Sequence, residues 1–311
     1  MKQVDLDNIS PGTKIAATRK RVRGRRKLSV WLDLLTQLAA YDENTDSRIK
    51  RNKTWSVIGG ILLFVTIFGL IIVGNSLSNH SLLPLILVVG GIIIVSEIIF
   101  LITMFVLLYK LNKINLINDF RITILPVLET FEDDIGAKGK VTLDLDLSPH
   151  NDKKKITRKE NIPPGRFKKL VRTIYNNPWC HLTAYLADGT ALMLTMKHIS
   201  VSFDRYWRNC RGKYKHKRKW KQTVSVTAAL VPAGNKLVWC DDKIGELDTQ
   251  STMKMAEKKG SRICKLTQCF KFKSVHDLPE EYVKPEEIVG MYIKLYSVLN
   301  PTPTIQPSCK A

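Results

Sequence analysis

Residues 205–221 (RYWRNCRGKYKHKRKWK) hold nine Lys and Arg and no acid. From residue 213 the run alternates, so a strand places Lys213, Lys215, Lys217, Lys219 and Lys221 on one face and Tyr214, His216, Arg218 and Trp220 on the other. Arg205, Arg208 and Arg211 come first, and Arg211-Gly212 fits the turn of a basic hairpin pairing residues 200–208 with 213–221. Cations in that density bind anionic partners: lipid headgroups, where Tyr214 and Trp220 also suit the interface, or an acidic protein. The same mixture of aromatics and cations suits single-stranded nucleic acid. A row of lysines also guards an edge strand against pairing, so three readings of one run stay open.

A second basic cluster comprises Arg19, Lys20, Arg21, Arg23, Arg25, Arg26 and Lys27, interrupted only by Val22 and Gly24. Residues 1–53 carry 13 basic and 6 acidic residues, and residues 1–27 read as a flexible basic arm. Residues 28–53 follow as an amphipathic helix and juxtamembrane segment, with Val30, Leu34, Leu38 and Tyr41 at helical spacing. A basic run beside such a helix suits the anionic inner leaflet. Packing of the helix on the rest of the chain and nucleic-acid binding by the arm are the alternatives.

Residues 54–109 are a different solvent problem. From Trp55 to Tyr109 one carboxylate, Glu97, and one histidine, His80, interrupt an otherwise uncharged stretch. Two spans, about residues 55–74 and 83–109, each match a hydrocarbon core of ~30 Å, which predicts a two-helix transmembrane hairpin. Lys and Arg flank both outer ends and are missing from the turn, so the positive-inside rule puts both termini in the cytoplasm of a multi-pass protein of the inner or plasma membrane. Small residues Ser56 and Gly60, and Gly90 with Gly91, offer faces for helix pairing or for homo-oligomers. Antiparallel pairing about the turn sets Glu97 beside Gly60. A carboxyl group in hydrocarbon is costly, and it either serves an ion-linked path in an oligomer or hydrogen-bonds within the packing.

Beyond the spans, residues 110–136 keep helical spacing and read as a stalk, with Pro126 as a kink or stop. Residues 137–300 form a cytoplasmic β-rich domain with a C-terminal helix, and residues 301–311, with Pro301, Pro303 and Pro307, a loose tail. Val141, Leu143, Leu145 and Leu147 alternate with polar residues as one half-buried strand. Asp188-Gly189 joins two β-prone runs as a hairpin, residues 223–231 and 236–239 flank a second turn, residues 262–274 give another strand, and residues 286–299 a helix. The expected class is therefore α+β, a transmembrane hairpin plus an antiparallel sandwich or partly closed barrel.

Cys180, Cys210, Cys240, Cys264, Cys269 and Cys309 have no metal-ligand spacing, nor do His181, His198, His216 and His276; reduced thiols, no metal and no cofactor are expected. Phosphate-binding loops, nucleophile elbows and kinase signatures are missing. A formal charge of +21 with 44% apolar residues excludes collagen, a disordered tail and a disulfide miniprotein. The expected function is a membrane-anchored, non-enzymatic binding or scaffold protein whose basic β-rich domain meets acidic partners or the anionic membrane surface. Alternatives are a subunit of an oligomeric channel or effector pore gated by that domain, a membrane-tethered nucleic-acid binder, and a tethered enzyme with a site hidden among the strands.

Overall fold

The uncharged stretch folds as two helices, α2 (Leu28–Ser76) and α3 (Leu83–Ile114), both long and apolar enough to cross a membrane. The computed structural model describes residues 11–76, 83–136, 139–163, 168–233, 237–239, 251–258, 261–274 and 281–301. By contacts the chain divides into two units, residues 1–8 with 39–115 and residues 9–38 with 116–311. In the first unit, large apolar side chains stay exposed along both helices, Val57, Phe64, Ile92 and Phe105 among them. A small residue lets the helices approach: a Cβ at Gly59 would lie 3.0 Å from Phe100, whereas at Gly60 it would meet nothing within 4 Å. Pairing is thus shifted from the expected register. Glu97 does not sit against Gly60; its Oε1 accepts a 3.0 Å hydrogen bond from Thr66 Oγ1.

The second unit begins where a flexible arm was expected. Pro11–Arg19 is helix α1 and Arg21–Lys27 is strand β1, which pairs antiparallel along its whole length with β2 (Lys140–Asp146). Leu28 donates its backbone N–H to Gly139 O at 3.1 Å, so β1 passes into α2 with no linker. The amphipathic spacing of residues 28–41 is real, but its apolar stripe serves the protein core. Trp31, Leu35 and Leu38 are fully buried, and Trp31 Nε1 donates to Val141 O at 2.9 Å.

The remaining strands are β3 (Ile156–Ile162), β4 (Lys169–Tyr185), β5 (Ala191–Arg208), β6 (Tyr214–Val231), β7 (Leu237–Trp239), β8 (Ser251–Lys258), β9 (Ser261–Ser274) and β10 (Leu299–Pro301). Eight of them make one antiparallel sheet in the order β1-β2-β4-β5-β6-β9-β8, with β3 added to β4. The sheet is open, neither closed into a barrel nor faced by a second large sheet among the described residues. β7 pairs with β10, and part of the second hairpin turn expected at residues 232–235 lies outside the described residues. Asp188-Gly189 does make its turn, with Gly189 at φ 89°.

Helical segments replace the second layer of a sandwich. Residues 116–135 are not a stalk: they contain a π-helical turn (Phe120–Ile124), α4 (Leu125–Thr130) and α5 (Glu132–Ile135), and bury Phe120, Ile124, Val127, Leu128 and Phe131. α6 (Pro285–Ser297) packs on β6 and β9 through Ile288, Met291, Tyr292 and Leu295. Tyr292 donates to Met193 O at 2.6 Å and meets Phe131 edge-to-face at 5.4 Å. Strands β2, β4, β5, β6 and β9 turn apolar alternate positions, such as Leu143, Leu182, Leu194, Val226 and Leu266, toward these helices. An aliphatic side chain so buried contributes ~1.5–3 kcal/mol relative to exposure.

Candidate functional site

The basic run of residues 205–221 becomes the far end of the β5–β6 hairpin, in register Arg208↔Tyr214, Arg205↔Lys217 and Val201↔Lys221. Five residues, 209–213, turn it. Asn209 N donates to Lys213 O and Gly212 N to Asn209 O, both at 2.9 Å, Asn209 Oδ1 accepts from Lys213 N at 2.8 Å, and Gly212 takes φ 76°. A left-handed residue here needs glycine. The core under the sheet ends near Trp220, where the described pairing of β6 with β9 stops; β5 and β6 run on from there with β4 beside β5 as far as Tyr206, and their tip forms an arm. Residues 213–219 are exposed on both faces except at their base.

The two faces differ as the alternation requires. Lys215, Lys217, Lys219 and Lys221 point outward and are exposed, with Lys213 exposed at the turn. The other face is internally satisfied. Asp204 accepts from Arg218 Nε at 2.6 Å and lies 3.1 Å from His216 Nε2. Burial pushes the Asp204 carboxyl up, but the hydrogen bonds and charges of Arg218 and His216 outweigh it and hold it below its ordinary value. His216 stacks on Tyr206 at 4.4 Å. Tyr214 lies under Lys168 and Arg208, and its hydroxyl accepts from Lys168 Nζ at 3.0 Å.

Trp220 is a correction to the expected anionic-partner surface. It shares the inward face with Gln222, Val224 and Val226 and is 5% exposed, so the tryptophan anchors the arm's root in the core and presents no ring to a partner. Tyr214 is flanked by two cations of its own chain, while Phe203 and Trp207 share the lysine face, opposite Lys219 and Lys215. The lysines of the outward face carry the chemistry. Residues 205–240 contain no acid, and Asp204 is already engaged.

The N-terminal cluster is dispersed by strand β1. Arg21, Arg23 and Arg25 project outward from the sheet edge, with Arg21 in a two-bond pair to Asp144 (2.9 and 3.1 Å) and Arg23 at 3.5 Å from the same carboxylate. Arg26 lies over the Trp31 ring at 5.3 Å, and Arg19 is exposed at the end of α1. These charges cover an edge that would otherwise invite strand addition. Glu97 belongs to the α2–α3 hairpin, where its second oxygen is buried without a partner.

Alternation also conceals a buried polar cluster that spacing alone does not disclose. Thr173, Asn177, His198, Ser200, Ser202 and Gln222 occupy inward positions of β4, β5 and β6 and are buried. His150, from the loop after β2, covers them. Its Nε2 lies 3.1 Å from Asp119 Oδ2, its Nδ1 accepts from Asn177 Nδ2 at 2.9 Å, and its ring stacks on His198 at 3.9 Å and 5°. Ser200 Oγ is 3.1 Å from His198 Nδ1. Burial, with the neighbouring His150 second to it, brings the pKa of His198 down to about 3; Asp119 is raised by burial and brought below its ordinary value by His150. A histidine so weakly basic is a poor general base at neutral pH. Ser200 and His198 are each 1% exposed, so the cluster locks the loop onto the sheet and offers no access to a substrate.

Cys180 and Cys264 are buried free thiols and Cys210 and Cys269 exposed ones; Cys240, Cys309 and His276 lie outside the described residues. No protein-family model, curated protein or solved structure matches the chain, so what it does is to be argued from these residues alone.

Proposed function

We propose that this chain is a membrane-anchored, non-enzymatic binding module. Helices α2 and α3 cross the inner or plasma membrane as a hairpin with both termini cytoplasmic, and the β5–β6 arm engages acidic partners or anionic headgroups. One observation carries the reading: β6 continues past Trp220 with an exposed lysine at every alternate position, and the acid facing its other side, Asp204, is occupied from within. Extending a ribbon beyond a core forgoes burial, and repulsion among the lysines adds to that cost; a counter-charged partner relieves both.

The test uses the full chain in neutral-lipid nanodiscs, titrated with vesicles of pure phosphatidylcholine, with vesicles containing phosphatidylglycerol, and with single-stranded RNA. Salt-sensitive binding to the anionic vesicles is expected, weakened at least tenfold when Lys213, Lys215, Lys217, Lys219 and Lys221 are replaced by Gln. Equal binding by that variant removes the arm from the function. Preference for RNA over the vesicles at equal salt reassigns the module to nucleic acid.

A further inference from the structure

At the opposite end of the same sheet lies a cavity of about 550 Å³, lined by residues that include Phe131, Asp133, Asp134, Asp188, Ile293 and Tyr296. Its floor is apolar and aromatic, with Ile293 65% exposed. Its rim is acidic. Among the lining residues there are three aspartates and no lysine or arginine, and among the described residues none of the three enters an ion pair. On a chain of charge +21 this local reversal of sign stands out. The rim is also fixed in place: Ala187 N donates to Asp134 O at 2.8 Å, Thr190 N to Asp188 Oδ1 at 2.7 Å, and the Tyr296 hydroxyl lies 3.3 Å from Asp188 Oδ2. Burial, together with the charges of Asp188 and Asp134, pushes the Tyr296 phenol up to about 12, so it stays a neutral donor to that carboxylate.

Such a site takes a cation on an apolar stem. Carboxylates meet the charged head, and the aromatic and aliphatic floor covers the methylenes. The arm tip presents two such side chains, Arg211 and Lys213, both exposed. They cannot reach the cavity of their own copy. β5 leaves the cavity at Ala191, directly after the turn that carries Asp188, and reaches the arm tip at Arg208. Its 18 residues at ~3.3 Å each hold the two ends roughly 55–60 Å apart.

We infer that the cavity is the docking site for the arm tip of a second copy of this chain, with Arg211 and Lys213 of one copy entering the acidic rim of the next. The inference rests on the arm being an acid-seeking surface, as proposed above, and names one acidic partner for it. Contact between unlike patches is head-to-tail, so it propagates into a ring if the rotation closes and a filament if it does not.

Sedimentation of the full chain in detergent micelles tests this with two variants, R211E/K213E at the arm and D133K/D134K at the cavity. All four positions are exposed, and retained circular dichroism and thermal unfolding establish that both variants fold. Wild type is expected to assemble beyond a dimer at low salt. Each variant alone is expected to sediment as a single copy. Mixed in equal amounts they are expected to assemble again, because the intact tip meets the intact cavity and the reversed tip meets the reversed cavity. Assembly of either variant like wild type, a mixture that stays monomeric, or a monomeric wild type at 100 μM overturns the inference. Anionic-vesicle binding separates the two proposals: D133K/D134K is expected to keep it, so loss of assembly with vesicle binding intact is specific to the cavity. A wild type that binds no vesicle defeats the arm reading itself.

Discussion

His198 and its neighbours show how single residues can decide the behaviour of this domain under acid. In the folded chain His198 gains a proton only near pH 3, whereas an unfolded histidine does so near ~6.5. Between those values the unfolded state binds more protons, so stability rises with pH across the window and is lost as pH falls through it. Asp119 adds a second loss lower down, because its depressed carboxyl stabilises the fold only above the ordinary carboxylate range. The near-ultraviolet circular dichroism melting temperature of the full chain should therefore drop from pH 6.5 to 4.5. His198→Gln should flatten that slope, removing a term on the order of a few kcal/mol. Parallel curves for the two proteins would show that His198 titrates normally. None of this cluster was legible in the sequence. Asp119, His150, Asn177 and His198 are tens of residues apart, and a polar residue at an inward strand position looks like any other break in alternation until its partner is known.

Elements were legible where a period had only one physical meaning. The long apolar helices, the alternation of β2, the Asp188-Gly189 turn and the helix after Pro285 follow from hydrophobic period and turn chemistry. Where one period serves two environments, the environment was misjudged. Helical spacing in residues 28–38 and 116–135 fits a membrane-surface helix and a stalk as well as core helices, and only the sheet they cover tells them apart. β1 escaped notice because its one inward apolar residue, Val22, sits among arginines. The helix hairpin carries its own internal control at this scale. Gly59→Val forces the new side chain against Phe100, while Gly60→Val enters open space. In detergent, thermal aggregation of Gly59→Val should begin several degrees below that of Gly60→Val, in line with a cost of ~1–3 kcal/mol for overpacking. Equal onset temperatures would mean that Gly59 does not face α3.

At the scale of the whole molecule, the β-rich unit is assembled from both sides of the apolar hairpin in sequence. Residues 9–38 supply the edge strand and the buried Trp31, and residues 116–135 supply much of the helical layer. A fragment of residues 140–311 keeps seven strands of the sheet and loses most of what covers them. It should lack near-ultraviolet circular dichroism and be cut rapidly by protease under conditions where the full chain resists. A cooperatively unfolding fragment would show that the N-terminal pieces are accessory to the core.

Strand β4 carries an irregularity between Pro178 and Cys180 that leaves both Trp179 and Cys180 buried. One additional residue there changes which parity faces inward: Val171, Thr173 and Asn177 on the arm side, Leu182 and Ala184 on the cavity side. Strand β4 is thus written in two frames joined at a single character, while β5 beside it keeps one parity throughout. Deleting Trp179 would join Pro178, opposite Lys197, directly to Cys180, opposite Met196, and restore regular alternation with every other residue on its present face, whereas deleting a residue elsewhere in β4 slips the frame on one side of it. Chain length is therefore less constrained at this position than at the regular positions of β4, where one residue lost carries the neighbouring side chains to the opposite face.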